Sequence, residues 1–334
     1  MRQDFKAQGP LKNCADVKSL NPCVVSACDQ NMIVGIRALM CSLAIFAPST
    51  KLSVLVLDLS DTQINALMDL CQSIKLALQV IKFDTAKLKT ARIVSDHLTV
   101  ACYARLFLAE LLVDLPRVIW LDADTVVLSS LDDLWQTPLH GALMAGVPDL
   151  FVDAKELQGL GIESGSYINS GVMVINLDAW RQEQLGQKAV EMMATAQLLL
   201  EDQSILNDLA RTKIALLPHC WNYHAARFAA YPPVIRYGSI KILHFCGTRK
   251  PWNDTLRLSE VWRNISPDAA TLPQTSGIPF WRRMELRRRF VFGILLGKRK
   301  YWTDLANFKS KSIARNLMNA TELAKALRVN AANE

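Results

Sequence analysis

Apolar runs with no internal polar residue alternate along the chain with stretches whose apolar residues recur every three to four positions, so the pattern predicts strands and helices in turn. Residues 21–27 (NPCVVSA) rise out of a polar leader and stop at Cys28-Asp29-Gln30-Asn31, as a buried strand ending in a loop would. Residues 33–46 repeat apolar side chains at helical spacing and halt at Ala47-Pro48-Ser49. Residues 53–57 (SVLVL) read as a second buried strand, which completes a β-α-β unit, the building block of a parallel sheet. The same reading predicts a helix over 62–76, a strand over 78–83, a helix over 101–112 and a strand over 117–121 that ends at Asp122-Ala123-Asp124. A Gly/Ser-rich loop at 159–166 leads into a strand at 167–176. A helix over about 177–200 follows, then the polar segment 201–207, and a strand at 240–245. Ser, Pro, Thr and Gly rise over 266–277, which is taken as a domain boundary. The expectation is an α/β protein whose polar clusters at 28–31 and 122–124 sit beyond the carboxyl ends of strands, where open α/β sheets bind ligands.

Length and composition narrow this little. At about 150 residues per domain, 334 residues make two domains or one large one with an appendage. Charge patterning adds more, because the net +7 is unevenly spread: residues 281–334 carry 13 Lys+Arg against four Asp+Glu, whereas 1–280 carry 25 against 27. Eight cysteines without a CxxC pair suit reduced thiols rather than a disulfide framework or a zinc ribbon. The N-terminus lacks an apolar signal-peptide core, and the run 290–297 is far short of the ~20 residues of a membrane-spanning helix. A cytoplasmic location is expected.

Two constellations carry chemistry. Asp122 and Asp124 share one side of an extended segment, so both carboxylates can converge on a hard cation such as Mg²⁺ or Mn²⁺; a turn or helix cap is the alternative use of such residues. His244 ends another apolar strand and precedes Cys246-Gly247-Thr248-Arg249-Lys250-Pro251-Trp252. A glycine lets backbone N–H groups approach a phosphate, a lysine adds a point charge, and an imidazole can complete a metal shell begun by carboxylates; a structural histidine beside a basic turn is the alternative. Gly159-Leu160-Gly161 and Gly297-Lys298-Arg299 fit neither a dinucleotide nor a P-loop fingerprint. Trp135 reads as packing beneath the 117–121 strand, and His97 and His219 have no metal-spaced partner.

Six ordered blocks together resemble glycosyltransferase family 8, the group of retaining bacterial lipooligosaccharide galactosyl- and glucosyltransferases with glycogenin more distant. They are Ser26-Ala27-Cys28-Asp29, Tyr103-Ala104-Arg105-Leu106, Leu121-Asp122-Ala123-Asp124-Thr125, residues 169–177 (NSGVMVINL), residues 202–207 (DQSILN), and His244-Phe245-Cys246-Gly247 with Lys250-Pro251-Trp252. The resemblance spans residues 21–262 and implies a GT-A fold, a mixed sheet flanked by helices, over 21–265, after an N-terminal extension at 1–20 and before a basic C-terminal helical tail at 266–334. It further implies a UDP-hexose donor, with Mn²⁺ or Mg²⁺ held by Asp122, Asp124 and His244. Ala27, Cys28, Asp29, Gln30 and Asn31 would line the uridine pocket, Ala123 would lie within the donor-binding turn, and Gly247 and Lys250 would hold the diphosphate. Arg105 would reach the donor, and Asn169, Asp202 and Gln203 would face the transferred sugar and the acceptor hydroxyl. Relatives commonly have an acidic residue where this chain has Cys28; a thiol is a poor acceptor for the uracil N3–H, and Asp29 is the candidate replacement.

On a helix starting at Trp281, Met284, Val291, Phe292 and Leu295 share a face, with Arg282, Arg283, Arg287 and Arg289 outside it. Arg288 interrupts that apolar stripe; the pattern suits a helix lying in an anionic membrane surface, and a helix packed on the catalytic domain with a solvated basic side is the alternative. The resulting expectation is a cytoplasmic enzyme, peripheral on the inner face of the membrane, that transfers glucose or galactose to a lipopolysaccharide-type or other surface glycan, without nucleic acid as a partner. A glycogenin-like protein glycosylase and an inactive UDP-sugar binder are the alternatives.

Overall fold

The computed structural model describes residues 21–88, 100–195, 201–225, 240–248, 250–253 and 258–270. The expected extension at 1–20, the basic helix from Trp281 onward and His97 lie outside these residues. Strand β1 (Cys23–Cys28), helix α1 (Ile33–Phe46), β2 (Lys51–Val56), α2 (Asp61–Ser73) and β3 (Ala77–Lys82) form the first half. Both intervening helices return the chain to a parallel neighbour, with Val24 opposite Leu52 and Leu52 opposite Leu78. The start of α2 is set by a capping box: Ser60 Oγ accepts from the Gln63 N–H, and the Gln63 side chain accepts from the Ser60 N–H.

The helix expected over 101–112 is 3₁₀ from Val100 to Phe107 and becomes α-helical only at α3 (Leu108–Leu111). Arg105 Nε donates to the Cys102 carbonyl three residues back at 2.9 Å, a local side-chain bond that competes with the α-helical ladder. Strand β4 (Arg117–Leu121) then pairs with β1, a tight turn leads to β5 (Thr125–Val127), and α4 (Asp132–Trp135) packs Trp135 against Ile119 and Leu121 in the core beneath β4. Next come β6 (Met144–Pro148), α5 (Ala154–Leu160), β7 (Ile168–Asn176), α6 (Leu177–Gln182), α7 (Leu185–Thr195) and α8 (Glu201–Ala210). The last described elements are β8 (Ile214–Leu216), β9 (Tyr223–His224), β10 (Ile242–His244) and α9 (Ser259–Ile265). The single helix expected over 177–200 is interrupted between α6 and α7, where Gln184 takes a left-handed φ of 55° that no α-helix contains.

The main sheet has seven strands in the order β3-β2-β1-β4-β7-β6-β8, and β7 runs antiparallel to both neighbours, so the sheet is mixed. The central strands β1, β4 and β7 are buried on both faces, which is why they read as nearly unbroken apolar runs, whereas the edge strands β3 and β8 are part-exposed. Val24, Ile119, Leu121, Val172 and Val174 face α1 and α2, while Val25, Val118, Trp120, Met173 and Ile175 face Leu106, Leu108 and Trp180 on the other side.

A second sheet, β5-β10-β9, stands apart from the first. Helix α1 is wedged between the two: Ile36, Leu39 and Leu43 enter the main core, whereas Ala38 and Cys41 pack with Val126, Leu243 and Trp262. A helix buried on both sides is apolar around most of its circumference, as α1 is.

Candidate active site

The chemistry-bearing residues gather where the two sheets meet. Asp122 and Asp124 converge through a turn, not an extended strand: the Thr125 N–H and Oγ1 both donate to the Asp122 carbonyl, at 3.1 and 2.7 Å. The turn is therefore what aims the carboxylates, and the two uses open to these residues coincide. The Asp122 N–H donates to the Gly171 carbonyl on β7 at 2.9 Å, and the Trp120 indole N–H donates to Asp122 Oδ1 at 2.8 Å. From β10, His244 Nε2 lies 3.2 Å from Asp124 Oδ1 and 3.7 Å from Asp122 Oδ2. The approach depends on Gly171, because a Cβ there would lie 2.2 Å from His244 Cε1 and 2.9 Å from Asp122 Oδ2.

The tautomer of His244 follows from a chain of amides anchored on a backbone group. The Gly171 N–H donates to Asn169 Oδ1 at 3.1 Å, which fixes that oxygen as an acceptor. Asn222 Nδ2 donates to the same oxygen at 2.8 Å, so Asn222 Oδ1 faces His244 Nδ1, 2.9 Å away, and that nitrogen carries the proton. Nε2 is then a lone pair, buried without a hydrogen-bond partner, pointed at two carboxylates. Three electron-rich donors whose ligand atoms lie within 4.8 Å of one another repel unless a cation joins them, and two oxygens with one imidazole nitrogen suit a divalent metal.

Two basic side chains neutralise part of this charge. Arg105 is 4% exposed; its Nη2 lies 3.0 Å from Asp122 Oδ1, its Nε lies 2.9 Å from Asp202 Oδ2, and its Nη1 donates to the Ser170 carbonyl at 2.7 Å. The guanidinium also lies over the Trp120 ring, 4.7 Å from its centroid. Burial pushes the guanidinium pKa down, but Asp122 and Asp202 more than reverse this, so Arg105 stays charged. Lys250 Nζ donates to Asp124 Oδ2. Burial pushes the Asp124 carboxyl up, yet the Lys250 ammonium beside it outweighs this and holds the group well below the usual carboxylate range.

Helix α8 supplies the third wall. The Asn207 amide pairs with the Ile168 backbone, accepting from its N–H at 2.8 Å and donating to its carbonyl at 2.9 Å, which docks α8 on β7. Gln203, one turn earlier on the same helix face, therefore lies over β7: its Oε1 accepts from the Ser170 N–H at 3.0 Å and from Asn169 Nδ2 at 3.1 Å. Its Nε2 donates to Asp149 Oδ2 at 3.1 Å. Asp149 was not singled out from sequence, although it shares the signal of the others, a polar residue at the end of an apolar run; Gly146 and Pro148 disguise β6 as a loop. Asn222 had no local signal.

Of the remaining expected residues, Asp29 caps the 3₁₀ turn that opens α1, its Oδ1 accepting from the N–H groups of Asn31 and Met32 at 2.9 and 3.1 Å. Gln30 and Asn31 are exposed, and Ala27 and Cys28 are buried. Cys28 packs in the main core and donates its thiol to the Asp29 carbonyl; burial raises its pKa far above the ordinary thiol value. A cleft lined by Asn31, Met32, Gly247, Thr248, Lys250 and Trp252 joins the end of β1 to the loop after β10. Gly247 takes a φ of +89° there, which a glycine adopts without strain. Gly35, under this cleft, has no room for a Cβ, which would lie 2.7 Å from the Ala123 carbonyl and 2.9 Å from the Trp252 ring. The cation cluster, the cleft beyond β1 and the amide wall of β7 and α8 thus form one continuous site.

Architecture and site together define a GT-A fold, the one seen in the crystal structure of the galactosyltransferase LgtC with donor and acceptor sugar analogs: TM-score 0.66, 25% identity, covering 78% of this chain and 99% of that one. The glycosyltransferase GlyE of Streptococcus pneumoniae is also similar, with TM-score 0.58, 26% identity, and coverage of 74% of this chain and 61% of that one. The family model for glycosyl transferase family 8 matches residues 23–256, and the chain belongs to that family. Among relatives, the lipopolysaccharide 1,2-glucosyltransferase of Escherichia coli is 27% identical over 235 residues, 60% of this chain and 68% of that protein. A Haemophilus influenzae relative is 28% identical over 219 residues, and the match covers 58% of this chain but only 64% of the relative, just under two thirds. Among the described residues no helix is long and apolar enough to cross a membrane.

Proposed function

We propose that residues 21–265 form a metal-dependent, retaining hexosyltransferase that moves glucose or galactose from a UDP-sugar to a lipopolysaccharide-type or other surface glycan. The observation that carries this reading is the buried lone pair of His244 Nε2 facing Asp122 and Asp124 beside the cleft of Asn31, Gly247 and Lys250. Asp122, Asp124 and His244 would hold Mn²⁺ or Mg²⁺, whose charge would stabilise the diphosphate as it leaves. The glucosyltransferase relative and the galactosyltransferase neighbour support a hexose donor and a glycan acceptor.

Breaking the sugar–phosphate bond builds negative charge on the β-phosphate, and Lys250 stands where it can exchange Asp124 for that phosphate. Gly247, Ala27 and Asp29 to Asn31 would bind the nucleotide, with Asn31 and Met32 on the cleft wall. Arg105 acts as a clamp that sets Asp122 and Asp202 in register. Asn169, Asp149 and Gln203 form a wall of amide and carboxylate groups suited to sugar hydroxyls. Retention follows from same-face attack of the acceptor, with the leaving phosphate accepting its proton. In favour of this route, Gln203 is an amide and a poor nucleophile, and Asp202 is 3% exposed and ion-paired with Arg105.

Release of UDP from a panel of UDP-sugars, with and without Mn²⁺, is the direct test. Metal-dependent release from one sugar names the donor; UDP binding without turnover, in the presence of acceptor extracts, overturns the enzymatic reading. The basic segment 281–334 would bring the domain to lipid-linked acceptors. Removing it should abolish sedimentation with anionic vesicles, and continued sedimentation would contradict a membrane role.

A further inference from the structure

Strand pairing brings a second set of ligands to the other side of His244. His244 on β10 and His224 on β9 are partners in a parallel ladder, so both side chains leave the small sheet on one face. The alternation continues past the end of β10: Phe245 turns into the core, and Cys246, two residues after His244, returns to the histidine face. The Cys246 sulfur consequently lies against the His224 ring, 2.7 Å from Nε2 and 3.0 Å from Nδ1, and the two imidazole centroids are 5.7 Å apart. Phe151 covers the outer side of His224 with a ring contact at 5.2 Å. One ligand atom from each of His224, His244 and Cys246 falls within 4.8 Å of the other two.

We propose that His224, Cys246 and His244 form a site for a thiophilic divalent cation of the Zn²⁺ type, whose occupation excludes the activating cation from Asp122 and Asp124. Thiolate and imidazole donors select zinc-like ions, whereas a pair of carboxylates suits Mg²⁺ or Mn²⁺, so the two donor sets differ in the metal they prefer. Zn–S and Zn–N bonds of about 2.3 and 2.1 Å require donor atoms within roughly 4 Å of one another, which small side-chain rotations reach from the observed spacing. Binding forms a Zn–S bond as the thiol proton leaves to solvent, and nothing is oxidised or reduced. Exclusivity follows from His244. The one imidazole belongs to both donor sets, and it serves either the carboxylate pair or the cysteine side. Zinc also binds nitrogen, oxygen and sulfur sites more tightly than manganese does, which makes a shared ligand a point of competition.

This inference rests on the cation reading of Asp122, Asp124 and His244 for its inhibitory consequence, but not for the binding itself. The test is titration of the full-length, metal-stripped chain with Co²⁺, read by thiolate-to-cobalt charge-transfer absorption, with circular dichroism as the check on folding. The expected result is a band that saturates near one equivalent, is displaced by Zn²⁺, and is lost in both Cys246→Ser and Cys246→Ala. Zn²⁺ should release bound Mn²⁺, followed by electron paramagnetic resonance, at a markedly lower concentration from the unmodified chain than from Cys246→Ser, where only direct exchange at the carboxylates remains. An equal band in the unmodified chain and in Cys246→Ser, or cobalt bound without a thiolate band, overturns the proposal. If sugar transfer proves independent of any cation, the hexosyltransferase reading fails while the cobalt spectrum still decides this site.

Discussion

The two sheets of this molecule are built on opposite principles. The main sheet has strands up to nine residues long, and its central strands β1, β4 and β7 are almost wholly buried and recognisable from their own apolar runs. The small sheet consists of strands of three, three and two residues, with β5 remote in sequence from β9 and β10, yet it presents His244 and His224, and Asp124 directly precedes β5. The contrast teaches that the scaffold is over-determined by burial, whereas the site depends on a few close approaches that a single atom can block.

Substitutions in the site should therefore cost function without the fold, and substitutions in the sheet the reverse. The largest effect is expected from Asp124→Asn, which removes one of the two carboxylates proposed to hold the metal. Transfer should fall by roughly 10³-fold, by analogy with loss of one transition-state donor, with an unchanged circular dichroism spectrum. Turnover within tenfold of normal would contradict the metal assignment. The same variant separates a pH effect. Because the folded-state pKa of Asp124 is depressed, its contribution to stability is present above about pH 4 and is lost as pH falls through the folded value. Melting temperature should drop in acid for the unmodified chain, and the curve for Asp124→Asn should be flatter there.

A glycine pair sharpens the comparison. Gly146→Ala on β6 would meet Ile168 Cδ1 at 2.3 Å, the end of a movable side chain, so repacking at about 1–3 kcal/mol should leave the folded fraction active. Gly171→Ala meets the His244 ring and Asp122 instead, so Mn²⁺ affinity measured by calorimetry should fall by more than about 10-fold even where stability loss is similar. Equal affinity losses in the two variants would erase the distinction between scaffold and site. The smallest effect is expected at Asn222, which touches the histidine and no substrate. Asn222→Leu should weaken Mn²⁺ by about 10-fold and let the His244 tautomer, read by ¹⁵N chemical shifts, change in the metal-free protein. Asn222→Asp keeps an acceptor for Nδ1–H and should restore most of the affinity; identical behaviour of the two would assign Asn222 a packing role only.

Legibility along the sequence follows the same divide. Helix α1 and strand β4 occupy the residues expected for them, because a buried run announces itself within its own length. The helix expected over 177–200 divides at Gln184, where the chain turns to lay α7 against the 3₁₀ segment Val100–Phe107 and α8 over β7, a choice made by packing and not by periodicity. Asp122 and Asp124 were visible as a pair, but the device that converges them is a turn bonded to Gly171 of β7, 49 residues away. His244 was visible at a strand end, while Asn222, which orients it, has no local signal, and Asp149 follows an apolar run broken by Gly146 and Pro148.

The sequence by itself determined the α/β architecture, the sites of the polar clusters at strand ends and, through ordered motifs, the family, since each of these is written in residues that are near neighbours or that repeat at a fixed period. Only the tertiary structure decided which nitrogen of His244 faces the carboxylates, that Arg105 clamps Asp122 to Asp202, and that Cys246 meets His224. Those facts depend on side-chain approaches of about 3 Å between strands and helices remote in sequence, and no local pattern encodes a distance across the fold.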